Sequence, residues 1–426
     1  MVQVPFVRAS LLVMAGSLAH ACHAESTGAR DGSRVANDGP AVVAAGQGGT
    51  AQPVRDWRWI ELELALAAAE MLPARGVHLR ERGRMQEIVG LAYLGIGDPG
   101  EAVAIARRTD GWRRGTLIAA AALEAARSGR AAEARGLARE ALAAIDSYRD
   151  WERDAVRVRV AQVHAWLGDT EESARLERGV GEPDQGKVAL AVAGAKSGET
   201  LGDDEFDAQV RPLGEWIATK NFDLVRNASD VALELYPPAF ADPARRARIE
   251  SLLADANSQL AYDLRIANLA RMAAIAASKG APDAARAFIA QAEVVRDGAP
   301  WILEDDLVQW AVIAKAKAEI GDRDTALEDL TRALARFDER REEIADIFRG
   351  RPLRALAEAC VRAGDAERAR AVYALALAEG ARNPNARPRA VDLVETIASM
   401  VATGIAPDES MRASMRATRE GLVDPW

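Results

Sequence analysis

Hydrophobic positions along the chain recur with the spacing of amphipathic helices, and pairs of such helices flank short turns that begin with glycine. Apolar residues at i, i+3, i+4 and i+7 predict helices with one buried face. Self-similar helix pairs about 40 residues apart are typical of solenoid repeats. The chain therefore predicts an all-α fold of about nine antiparallel helix pairs. The turn glycines are Gly97, Gly129, Gly168, Gly280, Gly321 and Gly364, with weaker copies at Gly198 and Gly404.

The repeat is degenerate around residues 184–260. Residues 222–236 predict a helix, Pro237 and Pro238 are expected to end it, and residues 244–256 predict the next helix. One divergent unit is therefore expected midway between Gly198 and Gly280.

Small residues occupy fixed positions around the turn glycines. Close packing of two helices needs small side chains where their backbones cross, and a turn glycine adopts the left-handed conformation without a Cβ clash. Stacked pairs would share one continuous core, with a concave and a convex face. The small residues seven positions before each glycine are Gly90, Ala122, Ala161, Ala273, Ala314 and Ala357, and those five positions after it are Ala102, Ala134, Ser173, Ala285, Ala326 and Ala369.

This layout resembles the tetratricopeptide repeat (TPR). The first repeat matches best, with Gly90, Tyr93, Gly97, Asp98 and Ala102 at the expected places. The other repeats lack the aromatic residue, and the period is nearer 40 than the roughly 34 residues of that family. The resemblance covers about residues 78–420. It implies a right-handed superhelical, TPR-like solenoid that binds a protein or peptide.

The resemblance also implies where a partner would bind. In tetratricopeptide solenoids, exposed positions on the first helix of each pair line the concave face. Positions two, six and ten residues before the turn glycine are carried over, and their Arg and Lys content suits an acidic peptide segment. The expected partner-binding residues are Leu123, Arg127, Val158, Gln162, Trp166, Lys315, Glu319, Arg354, Glu358 and Arg362, with Ala119 and Ala311 completing the columns.

The first 52 residues predict an export signal and a linker. Arg8 precedes an apolar stretch from Ala9 to Ala19, which is too short to span a bilayer. Cleavage after Ala24 would leave residues 25–52 as a flexible linker and residues 53–426 as the solenoid, which would begin with a capping helix from Asp56 to Leu72. We therefore expect an exported, periplasmic protein of the bacterial cell envelope. Lipid anchoring through Cys22 is the minor alternative.

Composition limits the chemistry that the chain can perform. It is 49% hydrophobic and 28% charged, with Ala at about a fifth of its residues, so it can bury a helical core. A net charge of -9 argues against a nucleic-acid partner. Of its two Cys and four His residues, Cys22, His20 and His23 would be removed with the signal peptide. No catalytic, cofactor or metal site is therefore predicted, and no transmembrane segment.

Other polar and aromatic residues are expected to serve the fold. His164 should pack between helices. Trp112 and Trp151 each precede a turn glycine by seventeen positions and should pack between repeats. The acidic runs 203–205 and 304–306 are expected to lie at helix N-termini, where negative charge complements the helix dipole.

These observations favour a non-catalytic interaction scaffold. The alternative is a periplasmic glycan-active hydrolase or lyase of the α/α-toroid type, because such enzymes are also Ala-rich helical-pair folds in exported proteins.

Overall fold

The computed structural model describes residues 56–143, 145–181, 187–188 and 201–426, and these residues form helices without any strand. The predicted all-α solenoid is confirmed. The predicted signal peptide (1–24) and linker (25–52) lie outside the described residues. None of the described helices is both long and apolar enough to cross a membrane. The helices are α1 (Trp57–Met71), α2 (His78–Gly95), α3 (Pro99–Arg108), α4 (Trp112–Arg127), α5 (Ala131–Leu142), α6 (Asp150–Trp166), α7 (Thr170–Glu177), α8 (Asp203–Ala218), α9 (Phe222–Ala239), α10 (Pro243–Gln259), α11 (Tyr262–Ser278), α12 (Pro282–Asp297), α13 (Leu303–Glu319), α14 (Arg323–Arg340), α15 (Gly350–Arg362), α16 (Ala366–Ala381), α17 (Ala386–Thr403) and α18 (Glu409–Glu420).

The helices form two concentric layers. The first helices of the pairs, α2, α4, α6, α9, α11, α13, α15 and α17, pack directly on one another wherever two of them are consecutive. The second helices lie mainly between two such neighbours, as α5 lies against α4 and α6. Because helices on the smaller circumference approach more closely, the first helices form the inner layer. The inner helices run parallel to one another, and all of them except α9 end at a turn glycine.

The two ends of the described chain pack against each other. The inner helix α17 packs on the inner helix α2, and α1 fills the outer position between them. Two ion pairs cross this contact, which we call the seam: Arg412 Nε lies 3.0 Å from Glu61 Oε1, and Arg84 Nη1 lies 3.0 Å from Glu395 Oε1. The sequence predicts α1 as an N-terminal capping helix, and in the structure it covers α17, the inner helix of the last pair, as well as α2. It therefore joins the two ends instead of ending a rod. The described helices form one packed arc from α8 through the seam to α7. Because α7 precedes α8 along the chain, contact at the seam closes the chain into a ring.

The glycine turns and the small-residue columns are confirmed. Seven turn glycines, from Gly97 to Gly404, have φ between 73° and 98°, in the left-handed region. All six alanines at five or seven positions from Gly280, Gly321 and Gly364 are fully buried. A Cβ atom on Gly90 would lie 2.4 Å from Leu117 Cδ2, so any other residue there would force the buried Leu117 side chain to move. Ser173 occupies the small position five residues after Gly168, and its buried hydroxyl donates a hydrogen bond to the Ala161 carbonyl at 3.0 Å.

The degenerate unit differs slightly from expectation. Pro237 and Pro238 do not end their helix, since α9 continues through them to Ala239. Both prolines lie in the last turn of α9, where the helix stops within two residues in any case. Asp242 then caps α10 by accepting a hydrogen bond from the Ala244 amide at 2.8 Å.

We predict that Arg412→Ala loosens the seam. Glu61 is only 4% exposed, and losing its cation should cost roughly 3 kcal/mol. Hydrogen–deuterium exchange should therefore accelerate in α1. The control is Arg416→Ala, because the Arg416 side chain is 56% exposed and its pair with Glu409 is worth less than about 1 kcal/mol. Equal exchange in α1 for both variants would contradict the closure.

Candidate functional site: the inner face of the ring

The accessible side chains of the inner helices fall into four columns. These columns lie two, six, nine and thirteen residues before the turn glycine. In α2 these positions are Gly95, Leu91, Ile88 and Arg84, and in α17 they are Ala402, Ala398, Glu395 and Val391. A helix turns about 100° per residue, so alternate steps of four and three residues keep these positions within about 40° of one line. The four columns together form what we call the inner face.

The prediction that the position ten residues before the glycine lines the concave face is wrong. This position lies eight residues before the one that is two residues before the glycine, so it is rotated about 80° away from the inner face and points into the neighbouring helices. Val158 and Arg354 are accordingly only 4% and 6% exposed. The corresponding residues Ala119 and Ala311 are buried as well. The position nine residues before the glycine faces inward instead and holds Ala120, Arg159, Val312 and Ala355.

Four of the predicted residues form two contacts between neighbouring repeats. The Arg127 guanidinium lies over the Trp166 ring, 5.1 Å from its centroid. Arg362 Nε lies 3.1 Å from Glu319 Oε1. In both cases the partners occupy the position two residues before the glycine in consecutive helices. The inner face therefore carries ordered side chains that bridge repeats.

The other predicted residues on the inner columns are half-buried. Leu123 and Lys315 lie six residues before their glycines, as expected. Gln162 donates a hydrogen bond from Nε2 to the Lys187 carbonyl at 2.9 Å. Glu358 accepts one from Ser399 Oγ at 2.6 Å.

An apolar surface next to the seam was not predicted. It lies on three consecutive inner helices, α17, α2 and α4, and its side chains are only partly buried. Arg84 and Glu395 border one side, and Arg127 and Trp166 border the other. Applying the six-residue offset to Gly97 would have found Leu91, its central residue. We call this surface the seam patch, and its members are Ile88, Leu91, Ala120, Leu123 and Ala398.

A buried ion network supports the inner face at the seam. Arg354 Nη1 lies 3.1 Å from Asp392 Oδ1, and Arg354 Nη2 contacts Glu395. Glu395 in turn pairs with Arg84, so the network joins α15, α17 and α2. Burial raises the pKa of Asp392 to about 6, although Arg354 opposes this shift. Arg354 is thus a structural residue rather than a ligand contact.

Glycines make room for Asp392 in this network. A Cβ on Gly350 would lie 2.5 Å from Asp392 Oδ1, and one on Gly380 would lie 2.8 Å from Asp392 Cβ. Asp392 can therefore reach Arg354 only because two neighbouring positions lack side chains.

The remaining sequence expectations concern packing. The Trp112 and Trp151 rings meet edge-on with centroids 5.4 Å apart, which confirms their contact between repeats. His164 Nδ1 lies 3.2 Å from Asp169 Oδ2, and hydrogen bonds from Arg135 and His164 lower the pKa of Asp169 to about 2.

The two acidic runs occupy the first turns of α8 and α13, as predicted. In the described part of the chain, no three His, Cys, Asp or Glu side chains are grouped to hold a metal ion.

Comparisons with known proteins add little to this picture. The chain matches no protein-family model and no curated protein sequence. Among solved structures it is similar to a "Circular tandem repeat protein with novel repeat topology and enhanced subunit contact surfaces", with 15% identity over 86% of this chain and 95% of that chain, and a TM-score of 0.26. A TM-score this low does not establish a common fold. The helical repeat is shown by the structure itself, while membership of the tetratricopeptide family stays a prediction.

We predict that Arg354→Ala destabilises the fold by roughly 3 to 5 kcal/mol, because it leaves the buried Asp392 without its cation. Arg362→Ala should cost less than about 1 kcal/mol, since the Arg362 side chain is 47% exposed. Urea unfolding followed by circular dichroism measures both changes. Similar costs for the two variants would show that Arg354 is not a structural residue.

Proposed function

We propose that the protein is a non-catalytic scaffold that binds a protein or peptide segment on the inner face of its ring. The seam patch carries this proposal. It offers contiguous apolar side chains on three rigid, parallel helices, with charged groups at its edge. An apolar centre with a polar rim is the usual anatomy of a recognition surface.

The charges around the seam patch favour an acidic segment with apolar anchors. Arg127 is exposed beside the patch, and its guanidinium is held by Trp166. Arg159, on the next inner helix, makes no ion pair or side-chain hydrogen bond within the described residues. A helical or extended peptide could place apolar residues on Leu91 and Leu123 and a carboxylate near these two cations.

The test is affinity capture from a periplasmic extract, followed by mass spectrometry. Leu91→Asp with Leu123→Asp should reduce recovery of the partner at least tenfold, because both changes put charge into the apolar centre. The matched control is Val294→Asp on the outer helix α12, where Val294 is 72% exposed. Circular dichroism verifies that each variant is folded. Equal recovery with the double variant and the control would overturn binding at the seam patch.

A glycan-active enzyme is kept as the second candidate, because the closed arrangement of helix pairs is the architecture of α/α toroids. Turnover of peptidoglycan or polysaccharide by the purified protein separates the two functions. We expect none. Measurable turnover that survives the Leu91→Asp and Leu123→Asp changes would contradict a non-catalytic scaffold.

We further propose that the chain is exported to the periplasm, on the evidence of its first 24 residues. N-terminal sequencing of the protein recovered from a Gram-negative periplasm should begin at Glu25. A blocked, lipid-modified Cys22 would indicate an anchored protein instead, and an intact Met1 would contradict export.

A further inference from the structure

One edge of the ring carries a belt of exposed apolar side chains. All inner helices begin at this edge, which we call the N-terminal rim, and most of them carry a large apolar residue at or just before their first turn. Contiguous exposed apolar surface on a folded protein commonly marks an interaction site. The exposed members are Val77 (72%), Trp151 (47%), Phe222 (43%), Tyr262 (44%), Ile302 (59%), Ile347 (48%) and Phe348 (48%).

Two aromatic members of this belt pack against half-buried tryptophans. Trp151 meets Trp112 edge-on, and the Tyr262 ring meets the Trp301 ring edge-on with centroids 6.1 Å apart. The aromatic groups are therefore held in fixed positions, so little side-chain entropy would be lost if a partner covered them.

The same rim is divided into a basic and an acidic part. Three consecutive inner helices, α17, α2 and α4, carry Arg387, Arg80 and Arg114 in their first turns, all of them exposed. None of these arginines makes an ion pair or a side-chain hydrogen bond within the described residues. The helix dipole disfavours a cation at a helix N-terminus, so these arginines do not stabilise the helices that carry them.

The acidic part occupies three other consecutive inner helices. Asp223, Asp263 and Glu304 each stand at the second position of α9, α11 and α13. Within the described residues none of them forms an ion pair. Each triplet therefore presents three charges of one sign to whatever covers the rim.

The two triplets lie on roughly opposite sides of the ring. On one side only α15 separates them. On the other side α6, α7 and α8 lie between them along the chain. A two-fold axis in the plane of the rim, passing through α15, would bring α17 onto α13, α2 onto α11 and α4 onto α9 of a second ring.

We propose that the N-terminal rim binds a second copy of this chain face to face. The two-fold arrangement pairs each arginine of the basic triplet with an acid: Arg387 with Glu304 of the partner subunit, Arg80 with Asp263 of the partner subunit, and Arg114 with Asp223 of the partner subunit. Phe348 lies near the axis and meets Phe348 of the partner subunit. Such an isologous contact is the commonest form of homodimer.

The rim is large enough for a stable dimer. A standard interface buries about 800 Å² on each partner. Large apolar side chains that are about half exposed contribute on the order of 100 Å² each, so the seven-membered belt supplies most of that area. The rim lies apart from the seam patch, and self-association there does not depend on the proposed peptide binding.

Sedimentation velocity of the full chain at micromolar concentration tests this interface. The wild type should sediment as a dimer of the 45.6 kDa chain, and high salt should weaken the dimer. Arg80→Glu, Arg114→Glu and Arg387→Glu in one chain make both triplets acidic, so this acidic-rim variant should be monomeric. Asp223→Arg, Asp263→Arg and Glu304→Arg make a basic-rim variant, which should also be monomeric.

Mixing the two charge variants separates rim pairing from misfolding. The acidic-rim and basic-rim variants should associate with each other, because all six contacts are then attractive. A matched control, Arg130→Glu with Arg286→Glu and Arg323→Glu, changes as many charges at the opposite rim and should leave the wild-type dimer intact. A monomeric wild type, dimerisation of either charge variant alone, or failure of the mixture to associate would overturn the proposal. So would wild-type monomers that bind anionic vesicles through this rim.

Discussion

The close approach of helix backbones at positions with small side chains is the constraint on which the rest of the structure depends. A left-handed glycine reverses the chain, and alanine on either side of the crossing lets the two helices touch. Each alanine buries little area, so no single pair could be stable alone. Stability must come from repetition of the same shallow interface around the ring. Aromatic residues are only 5% of the chain. Some of them, such as Tyr93 and Tyr373, fill the core, and others, such as Trp151, are exposed at the rim.

Closure of the ring turns a set of local interfaces into one long-range structure. An open solenoid exposes the apolar face of its first and last helices and needs polar caps. Here α1 covers α17 and α2 at once, so the two terminal faces cover each other. The ion network of Arg354, Glu395 and Arg84 crosses the same place. Because the seam patch borders the seam, these ion pairs hold together the part of the inner face that is proposed to bind a partner.

The sequence predicted the features that depend on residues close together in the chain. The turn glycines, the small columns and the helix pairs follow from periodicity over about forty residues, and the Trp112 and Trp151 contact follows from their common offset. Closure could not be predicted in this way, because the amphipathic pattern of residues 57–71 fits a terminal cap equally well. The burial of Arg354 depends on Asp392 and Glu395, which lie 38 and 41 positions further along the chain. The inner columns were only partly predicted. Two successive steps of four residues rotate a side chain away from the inner face, whereas a step of four followed by a step of three keeps it there.

The position of α1 has a consequence for the order in which the protein folds. Glu61 and Arg412 are separated by 351 positions, and almost the whole chain must be synthesised before they can meet. Until then the apolar side of α1 has no α17 to cover it, although the repeats from α2 onward can already stack on one another. Repeat stacking is thus a local and progressive process, while completion of the ring is a single late event that requires both chain ends.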